Sequence, residues 1–269
     1  MPLIEIRNAA FSYGAQSIFK DISFSVTPGE IFCLLGPNGC GKTTLLDCIL
    51  GFHPLNAGSI HVAGKDSRSY GHGKIARHLA YVPQRHERTF PYTVRQIVTM
   101  GRAAYLGMFE APSEEDRRLA DEALDRIGIR HLGDRPYTHL SGGETQLVMI
   151  ARALVQQTPV VIMDEPTAHL DFRYELQIME VITELVRADH LSIVMATHFP
   201  NHAFYFQNNG VSTTVALLHQ GGLLAVGPPE ATLDEERLKT LYGVNASVIS
   251  LNTEDGTSMK HIIALRTAR

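Results

Sequence analysis

The spacing of apolar residues along this chain predicts two kinds of β-strand. Apolar and polar residues alternate at 3–7 and 21–26, as in strands with one face in water, and a turn is expected at 11–14. Runs that are almost continuously apolar begin at Ile31, Leu79, Val160 and Ser192. Such runs are typical of strands buried on both faces of a parallel sheet. We therefore predict a parallel core sheet and a small antiparallel sheet, to which residues 59–63 add a strand.

The period of the α-helix dominates residues 85–157. Residues 93–102 predict one helix, and Ser113 with three acidic residues after it predicts the start of another, which ends at Gly128. The helix after Asp171 has a predicted buried face formed by Phe172, Leu176, Met179, Ile182 and Val186. Strands that alternate with helices predict a sheet covered on both sides.

The C-terminal part predicts smaller elements. Two strands and a short helix are expected at residues 215–218, 223–226 and 234–241. Two more strands, at 248–251 and 261–265, flank Asp255-Gly256 and predict a terminal hairpin.

The chain has 269 residues, of which 44% are hydrophobic, enough for one large domain. We place that domain at residues 1–244, with a helical subdomain inserted at about 85–157. Residues 245–269 are then a C-terminal extension that forms the predicted hairpin.

The stretch with the clearest chemistry follows the first buried strand. It consists of Gly36, Pro37, Asn38, Gly39, Cys40, Gly41, Lys42, Thr43 and Thr44. A strand, a glycine-rich turn and a helix are the context of a phosphate-binding P-loop, because glycines let backbone N–H groups surround a phosphate. Lys42 would reach the β- and γ-phosphates, and the Thr43 hydroxyl would bind Mg²⁺. The pattern arises by chance in roughly one per cent of chains this long, so we predict nucleotide binding.

Polar side chains follow the other three buried strands. Gln84 follows the second strand, Asp164 and Glu165 follow the third, and His198 follows the fourth. In open parallel sheets, ligands collect at the carboxyl ends of the strands. Hydrolysis of ATP needs a metal ligand, a group that activates water and a contact to the γ-phosphate.

We assign these roles as follows. Thr43, Asp164 and Gln84 would bind Mg²⁺, and Gln84 could equally orient the attacking water. Glu165 would be the general base, and His198 would hydrogen-bond the γ-phosphate. Taken singly, Asp-Glu-Pro is commonly a turn after a strand, and His198 is one of 13 histidines. Their joint order after the P-loop favours the functional interpretation.

A second glycine-bearing helix start consists of Ser141, Gly142, Gly143 and Glu144. Taken alone, it is a common helix N-cap. It could also present a hydroxyl and backbone amides to another phosphate. Two phosphate-binding surfaces would be redundant for one ATP, so we predict that two chains pair head to tail and close each other's sites.

Charge and cysteine content limit the partners and the compartment. A net charge of −4 argues against a nucleic-acid partner. The three cysteines fit no zinc or disulfide pattern and are expected to fill space in a reducing compartment. No apolar run approaches the ~20 residues of a membrane helix, and the N-terminus lacks the features of a signal peptide. We expect a cytoplasmic protein that reaches a membrane through a partner.

In their order, these motifs resemble those of the ATP-binding cassette (ABC) transporter ATPases. The resemblance covers about residues 3–244 and includes the loop at 168–171. It implies an α/β fold of the P-loop NTPase (RecA-like) class: a parallel sheet core with an antiparallel β subdomain and an inserted α-helical subdomain. It also implies ATP and Mg²⁺ as cofactors.

The resemblance adds roles that the spacing alone does not give. Tyr13 would stack on adenine, as aromatic rings stack on bases. Residues 141–144 would contact ATP bound to the partner chain, and Asp171 would lie at the dimer interface. Gln84 would lie beside the groove that receives a coupling helix of a membrane subunit.

Within the family, the chain resembles the ATPase subunits of importers for iron chelates (siderophore or haem), cobalamin or molybdate. The supporting segments are 81–84, 93–102 and 241–244. This implies a homodimer, peripheral on the cytoplasmic face of the membrane, with two permease subunits and, indirectly, a substrate-binding protein. The alternative is a soluble ABC ATPase of DNA repair or translation, which usually has a long coiled-coil insertion or two cassettes. A P-loop kinase or GTPase would leave 141–144 unexplained.

Three positions and one segment depart from the usual family pattern. Glu144 stands where Gln is commoner, and His169 stands where a small residue is usual. Leu147 replaces a basic residue, so a surface charge is missing. The segment Thr-His-Phe-Pro-Asn, which ends at Asn201, differs from the more frequent Thr-His-Asp. None of these changes removes a catalytic group, but Glu144 leaves the contact across the dimer open.

Overall fold

The computed structural model describes residues 1–84, 86, 90–107, 109–252 and 258–268. They form two compact units. The first unit consists of Met1–Ser69 and Thr183–Arg269, and the second unit consists of Tyr70–Ile182. The strands of the described chain are β1 Ile4–Tyr13, β2 Gln16–Val26, β3 Ile31–Leu35, β4 Ala57–Val62, β5 Lys65–Asp66, β6 Leu79–Val82, β7 Val160–Asp164, β8 Ser192–Thr197, β9 Thr213–His219, β10 Gly222–Gly227, β11 Val244–Asn252 and β12 Ser258–Thr267. Its α-helices are α1 Lys42–Ile49, α2 His72–Ile75, α3 Val94–Thr99, α4 Glu114–Arg126, α5 Gly142–Leu154, α6 Phe172–Asp189, α7 Asn201–Asn208, α8 Pro229–Thr232 and α9 Glu235–Tyr242.

The first unit contains the antiparallel sheet, with strand order β2-β1-β4-β5. β4 confirms the strand expected at 59–63, but the turn expected at 11–14 is wrong, because β1 continues to Tyr13. The register of β1 shifts between Ile6 and Ala9, and Asn8 has a φ of 45°. A bulge of this kind interrupts the alternation without ending the strand, which the local pattern does not reveal.

The first unit also holds the strands that carry the P-loop. β3, in which all five residues are buried, pairs in parallel with β8 on one side and with β9 on the other. Leu35 and Thr197, the last residues of β3 and β8, are register partners. The segments that begin at Gly36 and His198 therefore leave the sheet side by side.

In the second unit, β6 and β7 pair in parallel, with Val82 opposite Met163. Gln84 and Asp164 therefore lie at the same edge of that pair. These strands match the apolar runs that begin at Leu79 and Val160, as predicted.

The prediction of a helix at residues 93–102 is only partly right. The helix expected at 93–102 ends at Thr99 and continues as 3₁₀ helix to Tyr105. A Cβ on Gly101 would lie 2.2 Å from the Arg152 carbonyl oxygen, so close packing against α5 shapes this segment.

The buried face predicted for α6 is wrong at its N-terminal end. Phe172 and Leu176 are 82% and 41% exposed, whereas Met179 and Val186 are buried. The helical period identifies a face but not how much of its length the rest of the chain covers.

The C-terminal residues form the predicted hairpin, β11 paired with β12. Both strands are longer than expected, and residues 255–256, where we placed the turn, lie outside the described residues. β12 lies along α7, as described below.

Candidate functional site

The P-loop connects β3 to α1 in the first unit. Gly39 and Gly41 have φ values of 80° and 103°, which are accessible to glycine and strained for other residues. Gly41 is also the residue before α1, so the helix begins without a side chain that could cap it. The first N–H groups of α1 and its positive dipole end are therefore presented to an anion rather than to a cap.

Lys42 folds back over this loop. Its Nζ donates to the carbonyl oxygens of Gly36 at 2.8 Å and Pro37 at 3.2 Å. The residue is buried despite its charge. Lys42 thus lies against the glycine-rich turn, as a P-loop requires.

The three cysteines are free thiols. A Cβ on Gly36 would lie 2.6 Å from both Cys40 Sγ and the Leu218 carbonyl oxygen, so Cys40 fills space beside a position that only glycine fits. Burial raises the pKa of Cys33, and it raises that of Cys48 to about 12. Both thiols are therefore protonated and packed, in agreement with a structural role.

Tyr13 and His198 also belong to the first unit. Tyr13 lies at the end of β1 and is 49% exposed, with its hydroxyl 3.1 Å from His53 Nε2. Ile18, in the adjoining β2, approaches Gly41, so this hairpin lies beside the P-loop. The His198 and Phe199 rings are 4.0 Å apart between centroids, directly after β8.

The second unit brings Gln84, Asp164 and Glu165 together. Gln84 Nε2 donates to Glu165 Oε2 at 3.1 Å. Asp164 is the last residue of β7 and only 2% exposed. Glu165 has a φ of 46°, an uncommon value for a side chain of this kind, and such strain concentrates at functional sites.

Ser141 is the N-cap of α5. Its Oγ accepts from the Glu144 N–H at 3.2 Å, while Glu144 Oε2 accepts from the Ser141 N–H at 2.7 Å. This is a capping box, the device that also begins α3 and α4. Glu144, a departure from the common Gln, is therefore engaged within its own chain.

Arg135 completes that arrangement, with Nη1 3.2 Å from Glu144 Oε1. The hydrogen bond from the Ser141 backbone, with smaller contributions from the Ser141 hydroxyl and Arg135, holds the pKa of the Glu144 carboxyl below its usual value. Glu144 is thus ionised at neutral pH. Leu147, about one turn after Glu144 in α5, is buried. The expectation that this position lies at the surface is therefore wrong.

Sequence reasoning missed Tyr174, which packs against this helix start. A Cβ on Gly143 would lie 2.1 Å from the Tyr174 ring, and Ser141 Oγ is 3.5 Å from the Tyr174 hydroxyl. Tyr174 belongs to none of the sequence motifs. The only feature that could have pointed to it is its position three residues after Asp171.

Asp171 caps α6: its Oδ1 accepts from the Tyr174 N–H at 2.9 Å. Just before it, His169 has a φ of 62°. Histidine is among the residues that are enriched in this left-handed region of backbone conformation. This explains why a histidine can stand at position 169, where the family usually has a small residue.

The oxygen donors that we assign to Mg²⁺ are a hydroxyl, a carboxamide and a carboxylate, from Thr43, Gln84 and Asp164, and they suit a hard cation. Within the described residues, no group of three or more His, Cys, Asp or Glu side chains could hold a metal ion by itself. The same part of the chain contains no helix with the length and apolar character needed to span a membrane.

Comparisons with known proteins agree with this geometry. The ABC transporter family model matches residues 19–168. The molybdate import ATP-binding protein MolC of Haemophilus influenzae is 34% identical over 76% of each chain. The iron(3+)-hydroxamate import ATP-binding protein FhuC of Bacillus subtilis is 31% identical over 93% of this chain and 91% of its own.

A solved structure of an ABC transporter of metal-chelate type, in an inward-facing conformation, superposes with a TM-score of 0.86 at 30% identity, over 98% of both chains. The residues matched by the family model include the P-loop and the strand that ends in Asp164. This protein therefore belongs to the ABC transporter family, as one of its ATP-binding ATPase domains.

Proposed function

We propose that this protein is the ATP-hydrolysing subunit of an ABC importer. Two copies would pair around two ATP molecules and drive two membrane-spanning permease subunits from the cytoplasmic face of the membrane. The importer assignment is supported by the likeness to import ATP-binding proteins over most of the chain.

The observation that carries the hydrolytic role is the hydrogen bond from Gln84 to Glu165. It orients a carboxylate at the end of β7, where a general base is needed, with a side chain that follows β6. In the proposed reaction, Glu165 accepts a proton from the attacking water. His198 donates to the γ-phosphate, and Lys42 offsets charge on the β- and γ-phosphates.

The remaining residues bind the nucleotide. Backbone N–H groups of residues 36–44 hold the phosphates, and Tyr13 stacks on adenine. Thr43, Gln84 and Asp164 would hold Mg²⁺, which neutralises phosphate charge when bound.

The second copy completes the site. Ser141, Gly142, Gly143 and Glu144 contact the ATP held by the partner, and Asp171 lies at the interface between copies. Each ATP then favours the closed pair over the open one, and its hydrolysis resets the permease.

The cargo belongs to the class of metal chelates, such as iron–siderophore complexes, haem or cobalamin, or to metal oxyanions such as molybdate. The relatives named for molybdate and for ferric hydroxamate are similar to this chain to nearly the same degree. The permease and an external binding protein make the choice among them.

Glu165→Gln tests the hydrolytic role. The amide keeps the side chain's shape but cannot accept the proton, so we expect ATP binding to be retained and hydrolysis to fall about 100-fold or more. With Mg²⁺ and ATP, light scattering should show a stable pair. Glu180→Gln, a matched change on an exposed part of α6, should hydrolyse ATP normally. A Glu165→Gln variant with normal turnover would exclude Glu165 as the base.

The importer role is tested with the permease. Purification of this chain with its membrane partner, followed by reconstitution in vesicles, allows uptake of a labelled ferric chelate and of molybdate to be compared. ATP-dependent uptake of either supports the proposal. A chain that purifies without membrane subunits and hydrolyses ATP at its full rate would instead support a soluble ATPase.

A further inference from the structure

The outer edge of β12 is paired with two side chains of α7 instead of with another strand. Asn201 Oδ1 accepts from the Ile262 N–H at 2.8 Å, and Asn201 Nδ2 donates to the Ile262 carbonyl oxygen at 3.0 Å. Asn208 binds Lys260 in the same way, at 3.1 Å and 3.0 Å. A carboxamide has one acceptor and one donor group, so it can satisfy both backbone groups of a strand residue.

These two asparagines lie seven residues apart, on the same face of α7. Ile262 is buried at this contact, and Lys260 Nζ forms an ion pair with Glu230 at 3.0 Å. The hairpin is thus attached to α7 at both ends of the helix. Edge strands need such cover, because their unpaired N–H and C=O groups otherwise invite other chains.

The end of α7 that contains Asn201 is connected to His198. His202 Nδ1 lies 3.1 Å from Thr197 Oγ1, and that hydroxyl also accepts from the Phe199 N–H at 3.1 Å. Phe199 in turn packs against both His198 and His202, with ring centroids 4.0 Å and 5.3 Å apart. Thr197 and His202 are buried, which makes this connection short and closely packed.

We propose that Asn201 is a positioning residue for His198, and that the C-terminal hairpin acts on the reaction through it. The hairpin fixes the first residue of α7, and the packed segment from Thr197 to His202 transmits that position to the imidazole. Asn208 binds the backbone of β12 in the same way but lies seven residues further along α7, so it does not hold the His198 segment.

The inference depends on the proposed role of His198 at the γ-phosphate. It gives the C-terminal extension a function that the nucleotide-binding motifs do not require. It also gives Asn201, in the segment 197–201 that differs from the more frequent Thr-His-Asp, a partner in the backbone of Ile262.

Asn201→Ala and Asn208→Ala in the full chain form a matched pair, because each removes the two hydrogen bonds to the backbone of one β12 residue. Asn201→Ala also removes the contact between Asn201 Nδ2 and His261 Nε2, which are 3.1 Å apart. We expect similar losses of thermal stability for both. Asn201→Ala should lower kcat for ATP hydrolysis about tenfold and leave KM within about twofold, because a displaced catalytic group affects the transition state more than binding. Asn208→Ala should keep kcat within about twofold of the unmodified protein.

Equal losses of kcat in the two variants, or no loss in either, would overturn the proposal and leave the hairpin a purely structural addition. His198→Ala separates this outcome from a failure of the proposed function. If His198→Ala hydrolyses ATP normally, the assigned role of His198 is wrong and the inference falls with it. If His198→Ala is inactive while Asn201→Ala is normal, only the inference is wrong.

Discussion

Two helices of this protein, α1 and α5, have glycines at their starts, and they differ in whether a side chain caps their first N–H groups. α1 begins after Gly41, which has no side chain to cap it. α5 begins with a capping box in which Ser141 and Glu144 satisfy each other's backbone. A sequence motif can look like an anion site in both cases, but of these two helices α1 alone begins without a side-chain cap. In the proposed contact with the partner's ATP, α5 would use the exposed residues Ser141 and Gly142.

The largest expected effect is the difference in ATP affinity between alanine substitutions at the starts of α1 and α5. Gly41→Ala places a Cβ 2.9 Å from Ile18 Cγ2 on a backbone with a φ of 103°, whereas the nearest atom to a Cβ on Gly142 is 3.7 Å away. The strained loop should then bind phosphate less well. We expect Gly41→Ala to weaken the free energy of ATP binding by about 2–3 kcal/mol, which corresponds to about a 100-fold loss of affinity.

Gly142→Ala should keep ATP affinity within about twofold in the isolated chain, while the added methyl group hinders pairing. Calorimetric titration of each variant with ATP at low protein concentration measures this difference. Similar losses of affinity in both variants would show that the two helix starts are equivalent in binding ATP.

A smaller effect is expected where α5 meets Tyr174. Gly143→Ala forces a methyl group into the Tyr174 ring and should destabilise the protein by about 2–3 kcal/mol. Tyr174→Ala removes the obstacle, so the double variant should be more stable than the sum of the single changes predicts. Chemical denaturation measures the coupling, and additive effects would mean that Tyr174 does not restrict Gly143. Gly142→Ala combined with Tyr174→Ala serves as the additive control.

The smallest effect concerns Glu144. Its carboxyl has a lower pKa in the folded chain than in the unfolded chain, so its contribution to stability is present above the unfolded pKa of about 4.3 and is lost as the pH falls through the folded pKa. Glu144→Gln keeps the capping box and should cost about 0.5 kcal/mol at pH 7, since the Arg135 pair is partly exposed.

The loss of stability on acidification should be shallower in Glu144→Gln, as measured by denaturation across a pH series. The same change removes a negative charge beside Ser141, so we expect ATP-dependent pairing at about threefold less ATP. An unchanged pH profile would indicate that the hydrogen bonds to Glu144 do not distinguish the folded state.

The sequence predicted well the elements whose signals are local. β6 has the bounds of its apolar run, and the polar groups singled out from the pattern lie at the ends of β6, β7 and β8 or within two residues after them. These strands are continuously apolar because they are buried, so burial leaves a direct trace in the sequence.

Features that depend on distant partners were missed. The continuation of β1 depends on pairing across a bulge, and the exposed start of α6 depends on where the covering residues end. Tyr174 and the attachment of β12 to Asn201 join residues with no shared motif. Local periodicity contains no information about such contacts, which are set by the packed chain.

Glu165 and His169, with φ values of 46° and 62°, place two left-handed residues within one five-residue loop. The consequence concerns which mutations this loop tolerates. Substitution by Val, Ile or Thr at either position should lower the free energy of unfolding by about 1–2 kcal/mol or more, because branching at Cβ crowds this backbone conformation. Substitution by Gly, Asn or Asp should lower it less. At the exposed position 169, the backbone conformation therefore limits which residues are tolerated, although the side chain itself lies in solvent.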